Sequence, residues 1–275
     1  MLNPVIKWVG GKRQLLSAIK ERMPKEFGTY YEPFFGGGAV YFGITPKKAV
    51  INDFNEQLVN LYKQIKAHCD EIMRLLTKWG EEYNQLSSDA ERDAYYYGKR
   101  NLYNDCLLVN DMSILSAALV IFLNKAGFNG LYRVNQNGQY NVPPGHKKKL
   151  NLFDEANMKA VSKAFTGAKI MQGDFEVACK NAKAGDFVFF DSPYYDTFDT
   201  YQAGGFSEED HKRLYRLFAE LSDKGVYCML TNNSCDYIKN LYAKFNVETI
   251  KVKRMVNCDA TKRTGEEVII TNYKL

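Results

Sequence analysis

The chain has 275 residues, of which 45% are hydrophobic and 25% are charged, and its net charge is +5. This composition is ordinary for a globular protein and excludes a disordered or collagen-like chain. The length suits two average domains, or one large α/β domain with an insertion. No stretch approaches the roughly 18 apolar residues of a membrane span, and the N-terminus lacks a signal-peptide core. The sequence therefore predicts a cytoplasmic protein without a membrane partner.

The six cysteines and three histidines form no recognisable metal or disulfide framework. No two cysteines are spaced as C-x-x-C, and His68 and His211 lie on predicted helices without partners at ligand spacing. We therefore expect reduced thiols, surface histidines and no metal.

The first third of the chain alternates between helices and strands. A helix is predicted over residues 11–23, and a strand over 30–34 runs into the glycines of residues 36–38. A second helix begins at Ala39, and a short buried strand over 49–53 ends in an acid.

The middle of the chain is predicted to be mostly helical. Apolar residues recur at helical spacing from Asn55 to about Phe122, and a loop rich in Gly, Asn and Pro follows over 127–145.

Strands and helices alternate again in the last third. A fully apolar strand is predicted over 186–190, and a capping box at Ser207 begins a helix that ends near Gly225. Further strands are predicted over 226–231, 247–255 and 267–273. Together these patterns indicate an α/β fold in which a mainly parallel sheet, formed by residues 1–55 and 156–275, is split by a helical insertion over 56–155.

Basic residues concentrate in three zones that contain almost no acid. Residues 1–20 and 112–153 contain no Asp or Glu, and the basic run over 251–263 contains only Asp259. These zones predict either one positive surface that binds a polyanion or three unrelated solvated faces.

The glycine turn after the first strand has the pattern of a nucleoside-binding α/β unit. Three consecutive glycines let the backbone approach a ligand, and Asp53 at the end of the next strand can accept hydrogen bonds from ribose hydroxyls. The alternative is a purely structural turn, because the pattern is not a full G-x-G-x-x-G.

A second candidate site follows the most apolar strand, where Asp191-Ser192-Pro193-Tyr194 begins at the carboxyl edge of the predicted sheet. Open α/β sheets bind ligands at that edge. A carboxylate followed by an aromatic ring favours a flat, amine-bearing substrate, whereas Asp-Ser-Pro is also common in structural turns.

Six motifs occur in a fixed order along the chain. They are Ile6-Lys7-Trp8-Val9-Gly10-Gly11-Lys12, Glu32-Pro33-Phe34-Phe35-Gly36-Gly37-Gly38, Asn52-Asp53-Phe54-Asn55, the segment from Asn124 to Arg133, Asn141-Val142-Pro143, and Asp191 to Tyr194. In this order they resemble the Dam-type (DpnM-like) DNA adenine N6-methyltransferases over essentially the full length.

The resemblance implies a Rossmann-like S-adenosylmethionine-dependent methyltransferase sheet with a helical DNA target-recognition domain over 56–155. It implies that Asp191, Ser192, Pro193 and Tyr194 are the catalytic tetrapeptide. Cofactor-binding positions would be Trp8, Gly10, Lys12, Glu32, Phe35, Gly36, Gly38, Asp53, Asp174 and Asp191. DNA-binding positions would be Lys7, Phe128, Asn129, Leu131, Arg133, Asn135, Pro143 and Lys147.

Two residues depart from the family pattern. Ser192 stands where the family usually has Pro, and it creates a Ser-Pro-Tyr string that resembles the cytosine-N4 methyltransferases. His146 stands where Arg is common, which affects one expected phosphate contact.

The expected function is methyl transfer from S-adenosylmethionine to adenine N6 within 5'-GATC-3' in double-stranded DNA, by base flipping. We expect a monomeric, bacterial or phage-encoded enzyme. The alternatives are a cytosine-N4 or RNA-adenine methyltransferase, a non-catalytic DNA-binding module and, least favoured, a nicotinamide enzyme.

Overall fold

A computed structural model describes residues 2–195, 205–253 and 264–274. The chain forms two compact units. The sheet unit comprises Lys12–Phe35, Pro46–Phe54 and Gly167–Leu275, and the helical unit comprises Met1–Gly11, Gly36–Thr45 and Asn55–Thr166. The predicted domain boundaries differ in placing residues 1–11, 36–45, 55 and 156–166 with the sheet, and they stay a prediction.

The sheet unit is built on seven strands. They are β1 (Tyr30–Glu32), β2 (Ala49–Asp53), β3 (Ala168–Gln172), β4 (Phe187–Phe190), β5 (Tyr227–Asn233), β6 (Asn246–Lys253) and β7 (Thr264–Thr271). Their order across the sheet is β3-β2-β1-β4-β5-β7-β6. The strands from β3 to β5 are parallel, and β7 pairs antiparallel with both β5 and β6. The predicted α/β fold class is confirmed.

The strand order reverses between β1 and β4. Chain connections leave these two adjacent strands in opposite directions across the sheet, and open α/β sheets bind ligands at the carboxyl ends of strands at such a point. All four residues of β4 are buried, as expected for a strand covered on both faces. A fully buried strand therefore ends at the point where the strand order reverses, directly before Asp191.

The described part of the sheet unit contains the helices α1 (Leu16–Arg22), α7 (Phe175–Cys179), α8 (Glu208–Asp223) and α9 (Asp236–Leu241). The capping box predicted at Ser207 begins α8, whose apolar residues Leu214, Phe218 and Leu221 are buried in the core with Phe190 of β4. Amphipathic spacing therefore fixes which side of α8 faces the core.

The helical unit contains α2 (Ala39–Ile44), α3 (Glu56–Asn84), α4 (Asp89–Leu108), α5 (Ile114–Ala126) and α6 (Glu155–Ala164). Nearly every residue of α5 is buried, and α5 contacts α3 and α4. A helix that is apolar on all sides suits such a central position. None of the described helices is long and apolar enough to cross a membrane.

His211 corrects one expectation. It was expected at the surface, but only 1% of it is exposed. Its ring contacts Tyr195, Phe206 and Tyr237 at centroid distances of 5.5, 4.8 and 6.3 Å. The error arises because the aromatic neighbours come from segments distant in sequence.

Candidate functional site

The carboxyl edge of the parallel strands collects four acidic side chains. Glu32 ends β1, Asp53 ends β2, Asp174 follows β3 and Asp191 follows β4. Carboxyl ends of parallel strands lie at one edge of a sheet, so this edge of the sheet unit is acidic. An acidic edge suits a cationic ligand.

Asp191 is held by two donors at a single oxygen. The Lys12 ammonium lies 2.6 Å from Oδ1, and the Thr231 hydroxyl donates to Oδ1 at 3.0 Å. Lys12 is 5% exposed, and Asp191 is 19% exposed. Removing one partner of a buried ion pair leaves the other charge uncompensated, which is energetically costly. The ion pair with Lys12 therefore holds the Asp191 carboxylate in place.

Lys12 also contacts the other end of the tetrapeptide. Its Nζ lies 4.8 Å from the centroid of the Tyr194 ring, within range of a cation–π interaction. The structure thus brings together three predicted site residues, Lys12, Asp191 and Tyr194. Lys12, predicted as a cofactor residue, here contacts the catalytic tetrapeptide.

Asn232 is a site residue that the sequence reasoning missed. It is completely buried near the end of β5, and its amide nitrogen donates to Ser192 Oγ and to the Pro193 carbonyl, both at 3.1 Å. The only available signal was Thr231-Asn232-Asn233, three polar residues at the end of an apolar strand.

The ends of β1, β2 and β3 are joined through Asn52. Its amide donates to the carbonyls of Pro33 at 3.0 Å and Gly173 at 2.9 Å. The backbone N–H of Phe35 donates to the Asn52 carbonyl at 2.8 Å. These bonds order the backbone on both sides of Asp53, which is half-buried.

Asp174 and Glu32 make contacts within the sheet unit. Asp174 caps α7 through Oδ1, which accepts from the Glu176 N–H, and its Oδ2 pairs with Arg213 at 2.9 Å. The Glu32 carboxylate is buried and accepts from the Tyr30 hydroxyl at 2.8 Å. The predicted cofactor roles of both residues stay predictions.

In the helical unit, Trp8 lies against the glycine turn. Gly36 has φ +48°, and a Cβ added there would lie 3.0 Å from the Trp8 ring. A side chain at position 36 would therefore combine backbone strain with a steric conflict. The Trp8 ring also lies 5.4 Å from that of Tyr132, and the Tyr62 hydroxyl donates to the Gly36 carbonyl at 2.7 Å.

A buried asparagine connects the N-terminal segment with the predicted recognition loop. Asn124 Oδ1 accepts from the Lys7 N–H at 2.8 Å, and its Nδ2 donates to the carbonyls of Lys7 at 2.9 Å and Gly130 at 2.7 Å. Asn124 begins one of the quoted motifs, but its role as a link between Lys7 and this loop was not predicted.

The predicted recognition loop, residues 127–145, presents several predicted DNA-binding residues at its surface. Phe128 is 49% exposed, and its N–H donates to the Pro143 carbonyl at 2.9 Å. Arg133 is exposed, and its Nε donates to Asn141 Oδ1 at 2.7 Å, which orients the guanidinium. Asn129 is also exposed and has φ +54°.

Other predicted residues of this loop have contacts inside the helical unit. Asn135 Oδ1 accepts from the N–H groups of Asn137 and Gln139, so this side chain orders a turn. Leu131 is half-buried, and its carbonyl accepts from the Tyr140 hydroxyl. The DNA contacts of Asn135 and Leu131 stay predictions.

Lys147 lies near Lys7. Its ammonium donates a hydrogen bond to the Lys125 carbonyl. Partial desolvation lowers the pKa of Lys147, and the positive charge of Lys7 lowers it further. Two neighbouring ammonium groups suit a phosphate. His146 instead pairs with Asp93 at 3.2 Å.

Residues 8–256 match the family of D12 class N6 adenine-specific DNA methyltransferases. The chain belongs to this family. Type II methyltransferase M1.LlaDCHI of Lactococcus lactis subsp. cremoris is 40% identical over 280 residues, which cover 99% of this chain and 96% of the relative.

Two further relatives agree with this membership. Type II methyltransferase M.MjaIII of Methanocaldococcus jannaschii is 38% identical over 99% of both chains. The DNA adenine methylase of Escherichia coli K12 is 26% identical over 98% of this chain and 94% of its own. The D12-class chain described here is thus a site-specific, adenine-specific DNA methyltransferase, as the sequence predicted.

Proposed function

We propose that this D12-class enzyme transfers a methyl group from S-adenosylmethionine to adenine N6 within 5'-GATC-3' in double-stranded DNA. The observation that carries the proposal is the convergence of Lys12, Asp191 and Tyr194 beside the point where the strand order reverses. A carboxylate and an aromatic ring, both held by one buried ammonium, suit a flat base that carries an amine.

The chemistry of adenine sets the task. Its exocyclic amine is a poor nucleophile because the nitrogen lone pair is delocalised into the ring. Acceptors that bind the two amino hydrogens favour a tetrahedral nitrogen and localise the lone pair. The enzyme therefore needs two hydrogen-bond acceptors placed beside one extruded base. Acceptors that are fixed in position before the reaction stabilise its transition state electrostatically.

Asp191 and the backbone of the tetrapeptide supply these acceptors in our proposal. Lys12 and Thr231 both contact Oδ1, so we assign the amine contact to Oδ2. The Ser192 carbonyl is the second acceptor, and Tyr194 stacks on the base once it has left the duplex. The nitrogen that gains the methyl group releases one proton, which passes through the Asp191 carboxylate to water.

The sheet edge fits the proposed methyl donor. The glycine turn follows β1 in the chain, the Asp53 carboxylate at the end of β2 suits ribose hydroxyls, and carboxylates at this edge suit a sulfonium and an ammonium group. S-adenosylmethionine, when bound, supplies the electrophilic methyl carbon. The predicted contacts of Trp8, Gly10, Gly36 and Gly38 to it belong to this proposal.

Recognition of the site is assigned to the loop over residues 127–145. Arg133 suits a bidentate contact to guanine in the major groove. Phe128 is an exposed ring suited to inserting into a duplex, and Lys7 and Lys147 suit phosphate or base contacts. The choice of 5'-GATC-3' rests on the resemblance of this loop to the Dam-type pattern. Monomeric action in the cytoplasm stays a prediction of the sequence.

The test is methyl transfer from labelled S-adenosylmethionine to duplexes that differ only at the central four base pairs. We expect label in the 5'-GATC-3' duplex and, after digestion to nucleosides, in N6-methyl-2'-deoxyadenosine alone. Label in N4-methylcytosine would support the resemblance of Ser192-Pro193-Tyr194 to the cytosine enzymes. Labelling of a different duplex would contradict the proposed site, and no labelling of any duplex would contradict the proposed reaction.

A further inference from the structure

We propose that Asn232 is a positioning residue that fixes the Ser192–Pro193 peptide, whose carbonyl accepts a hydrogen from the adenine amine. This inference rests on the proposed function. In this proposal Asn232 of β5 holds the second acceptor, the Ser192 carbonyl, in place. Lys12 and Thr231 hold the first acceptor, the Asp191 carboxylate.

The Asn232 amide is fully occupied by the segment that it orders. Nδ2 donates to Ser192 Oγ and to the Pro193 carbonyl at 3.1 Å each. Oδ1 accepts from the backbone N–H groups of Tyr195 at 3.2 Å and Asn233 at 3.0 Å. An amide has two donor hydrogens and two principal acceptor sites, so this side chain has no capacity left to bind a base itself.

These bonds lie on both sides of one peptide group. The Ser192 carbonyl carbon is bonded to the Pro193 nitrogen, and Asn232 contacts the side chain before that bond and the carbonyl after it. The third bond, to the Tyr195 N–H, fixes the chain just beyond Tyr194. The peptide thus has little freedom to rotate.

The anchor itself is rigid. Asn232 is completely buried within β5, which pairs with β4 on one side and with β7 on the other. Consecutive strand residues alternate between the faces of a sheet, so Thr231 and Asn232 reach Asp191 and Ser192 from opposite faces. One strand therefore fixes both proposed acceptors relative to each other.

The contact gives a physical reason for Ser192. A proline at this position restricts the backbone covalently by fixing φ. Serine lacks that restriction, but its hydroxyl is a partner for the Asn232 amide. In this chain the buried hydrogen bond between Asn232 and Ser192 restrains the backbone at position 192, as the ring of a proline would do.

The test compares steady-state kinetics of Asn232→Ala and of the double variant Asn232→Ala/Ser192→Pro on the preferred duplex. Misplacement of a reacting group by about 1 Å can cost on the order of 10²-fold, so we expect Asn232→Ala to lower kcat by about 10- to 100-fold. The KM values for S-adenosylmethionine and DNA should change little. Ser192→Pro should recover part of the lost kcat, because the ring restores backbone restraint without restoring the hydrogen bonds.

Asn233→Ala is the matched control. Asn233 is the next residue of β5, and its amide donates to the Tyr195 carbonyl at 3.0 Å rather than to residues 192 or 193. We expect a smaller loss of kcat. Thermal unfolding and binding of S-adenosylhomocysteine show whether each variant is folded.

The outcomes separate the two proposals. A wild-type enzyme that methylates no adenine in DNA would overturn the proposed function. An active wild type with unchanged kcat in Asn232→Ala would overturn the positioning role alone. A parallel loss of kcat, cofactor binding and melting temperature, with no recovery by Ser192→Pro, would assign Asn232 a purely structural role and equally overturn the inference.

Discussion

Lys12 organises the candidate catalytic residues of this methyltransferase. Its buried ammonium pairs with the carboxylate of Asp191 and lies over the ring of Tyr194, so one side chain contacts both ends of the tetrapeptide. A buried charge is costly without a partner, so Asp191 has a structural role as the partner of Lys12 in addition to its proposed role in the chemistry. Variants at this position must be interpreted with both roles in mind.

Replacing Asp191 by alanine should lower turnover by about 10²- to 10³-fold. The variant loses one of two acceptors for the amine, and loss of a single preorganised group typically lowers kcat by about 10²- to 10³-fold. It also removes the carboxylate that pairs with the Lys12 ammonium, at a cost of about 3 kcal/mol in the free energy of unfolding. Labelled methyl transfer and urea unfolding measure the two effects separately.

Glu248→Gln is the control for Asp191→Ala. Glu248 is a surface carboxylate of the same unit that pairs with Arg22 at 2.6 Å, and its replacement should leave kcat unchanged. Substantial turnover by folded Asp191→Ala would contradict the assigned role.

Replacing Arg133 by alanine should relax sequence specificity at one base pair. A bidentate contact between guanidinium and guanine contributes about 1–3 kcal/mol of discrimination. Duplexes that differ only at the contacted base pair should give kcat/KM values that are closer to one another for the variant than for the wild type. The affinity for S-adenosylmethionine should not change. An unchanged preference across the duplexes would contradict the base contact.

Asn141→Ala is the matched comparison for Arg133→Ala. Asn141 accepts from Arg133 Nε and orients the guanidinium without replacing it. The same base pair should therefore lose discrimination, but by a smaller factor.

At this scale the sequence could predict contacts within a motif but not between motifs. Asp191 and Tyr194 belong to one tetrapeptide, so the chain order alone suggests a shared site. The contacts of Lys12, Thr231 and Asn232 to this tetrapeptide depend on strand order and on register between β4 and β5, which no local pattern specifies.

Among the elements, α8 carries the least expected feature of the sheet unit. His211 lies in its first turns, buried among Tyr195, Phe206 and Tyr237. Its Nε2 has no hydrogen-bond partner among the residues that the structure describes. Burial lowers the pKa of His211 to about 4, although the nearby charges of Asp210 and Glu208 act in the opposite direction.

This lowered pKa predicts a loss of stability in weak acid. The imidazole is neutral in the folded protein down to about pH 4 but titrates near 6.5 when unfolded, so the unfolded state binds more protons between these values. The contribution of neutral His211 to the free energy of unfolding is therefore fully present above pH 6.5. This contribution falls by about 2–3 kcal/mol as the pH approaches 4.

His211→Phe tests the pH effect. The ring is of similar size and cannot be protonated, so the difference in unfolding free energy between wild type and variant should change with pH from 7 to 4.5. Urea unfolding at several pH values measures it. A constant difference across this range would rule out His211 as the titrating group.

The helices and strands that were predicted correctly from the sequence are the ones with the most strongly buried residues. The strand before Asp191 and the capped helix α8 were predicted because their patterns are continuous and strongly apolar or amphipathic. The strand β3 was missed because it lies at the sheet edge, where exposed Lys169 and Gln172 alternate with partly buried residues in a short segment. The helix α6 was missed although Asp154 caps it, because only two of its ten residues, Met158 and Val161, are large and apolar.

At the scale of the whole molecule, the distribution of charge matters more than the total of +5. The acid-poor zones over residues 1–20 and 112–153 contain Lys7, Arg133 and Lys147, and the last two lie in or just after the recognition loop. Desolvation by burial and, after it, the charge of Lys7 lower the pKa of Lys147, so these two lysines lie near each other in the helical unit. For the third zone, residues 254–263 lie outside the described residues.

Binding of DNA should therefore weaken steeply with salt, in proportion to the phosphates that these lysines neutralise. For double-stranded DNA the slope of log K against log salt concentration is about −0.9 for each neutralised phosphate. Lys147→Ala should reduce the slope by about one unit and weaken binding to all duplexes alike, because phosphate contacts do not read sequence. Lys244→Ala is the matched control, since that lysine lies over Tyr215 and Phe245 of the sheet unit and should leave the slope unchanged. Equal slopes for wild type and Lys147→Ala, measured by fluorescence anisotropy from 50 to 200 mM salt, would remove Lys147 from the interface.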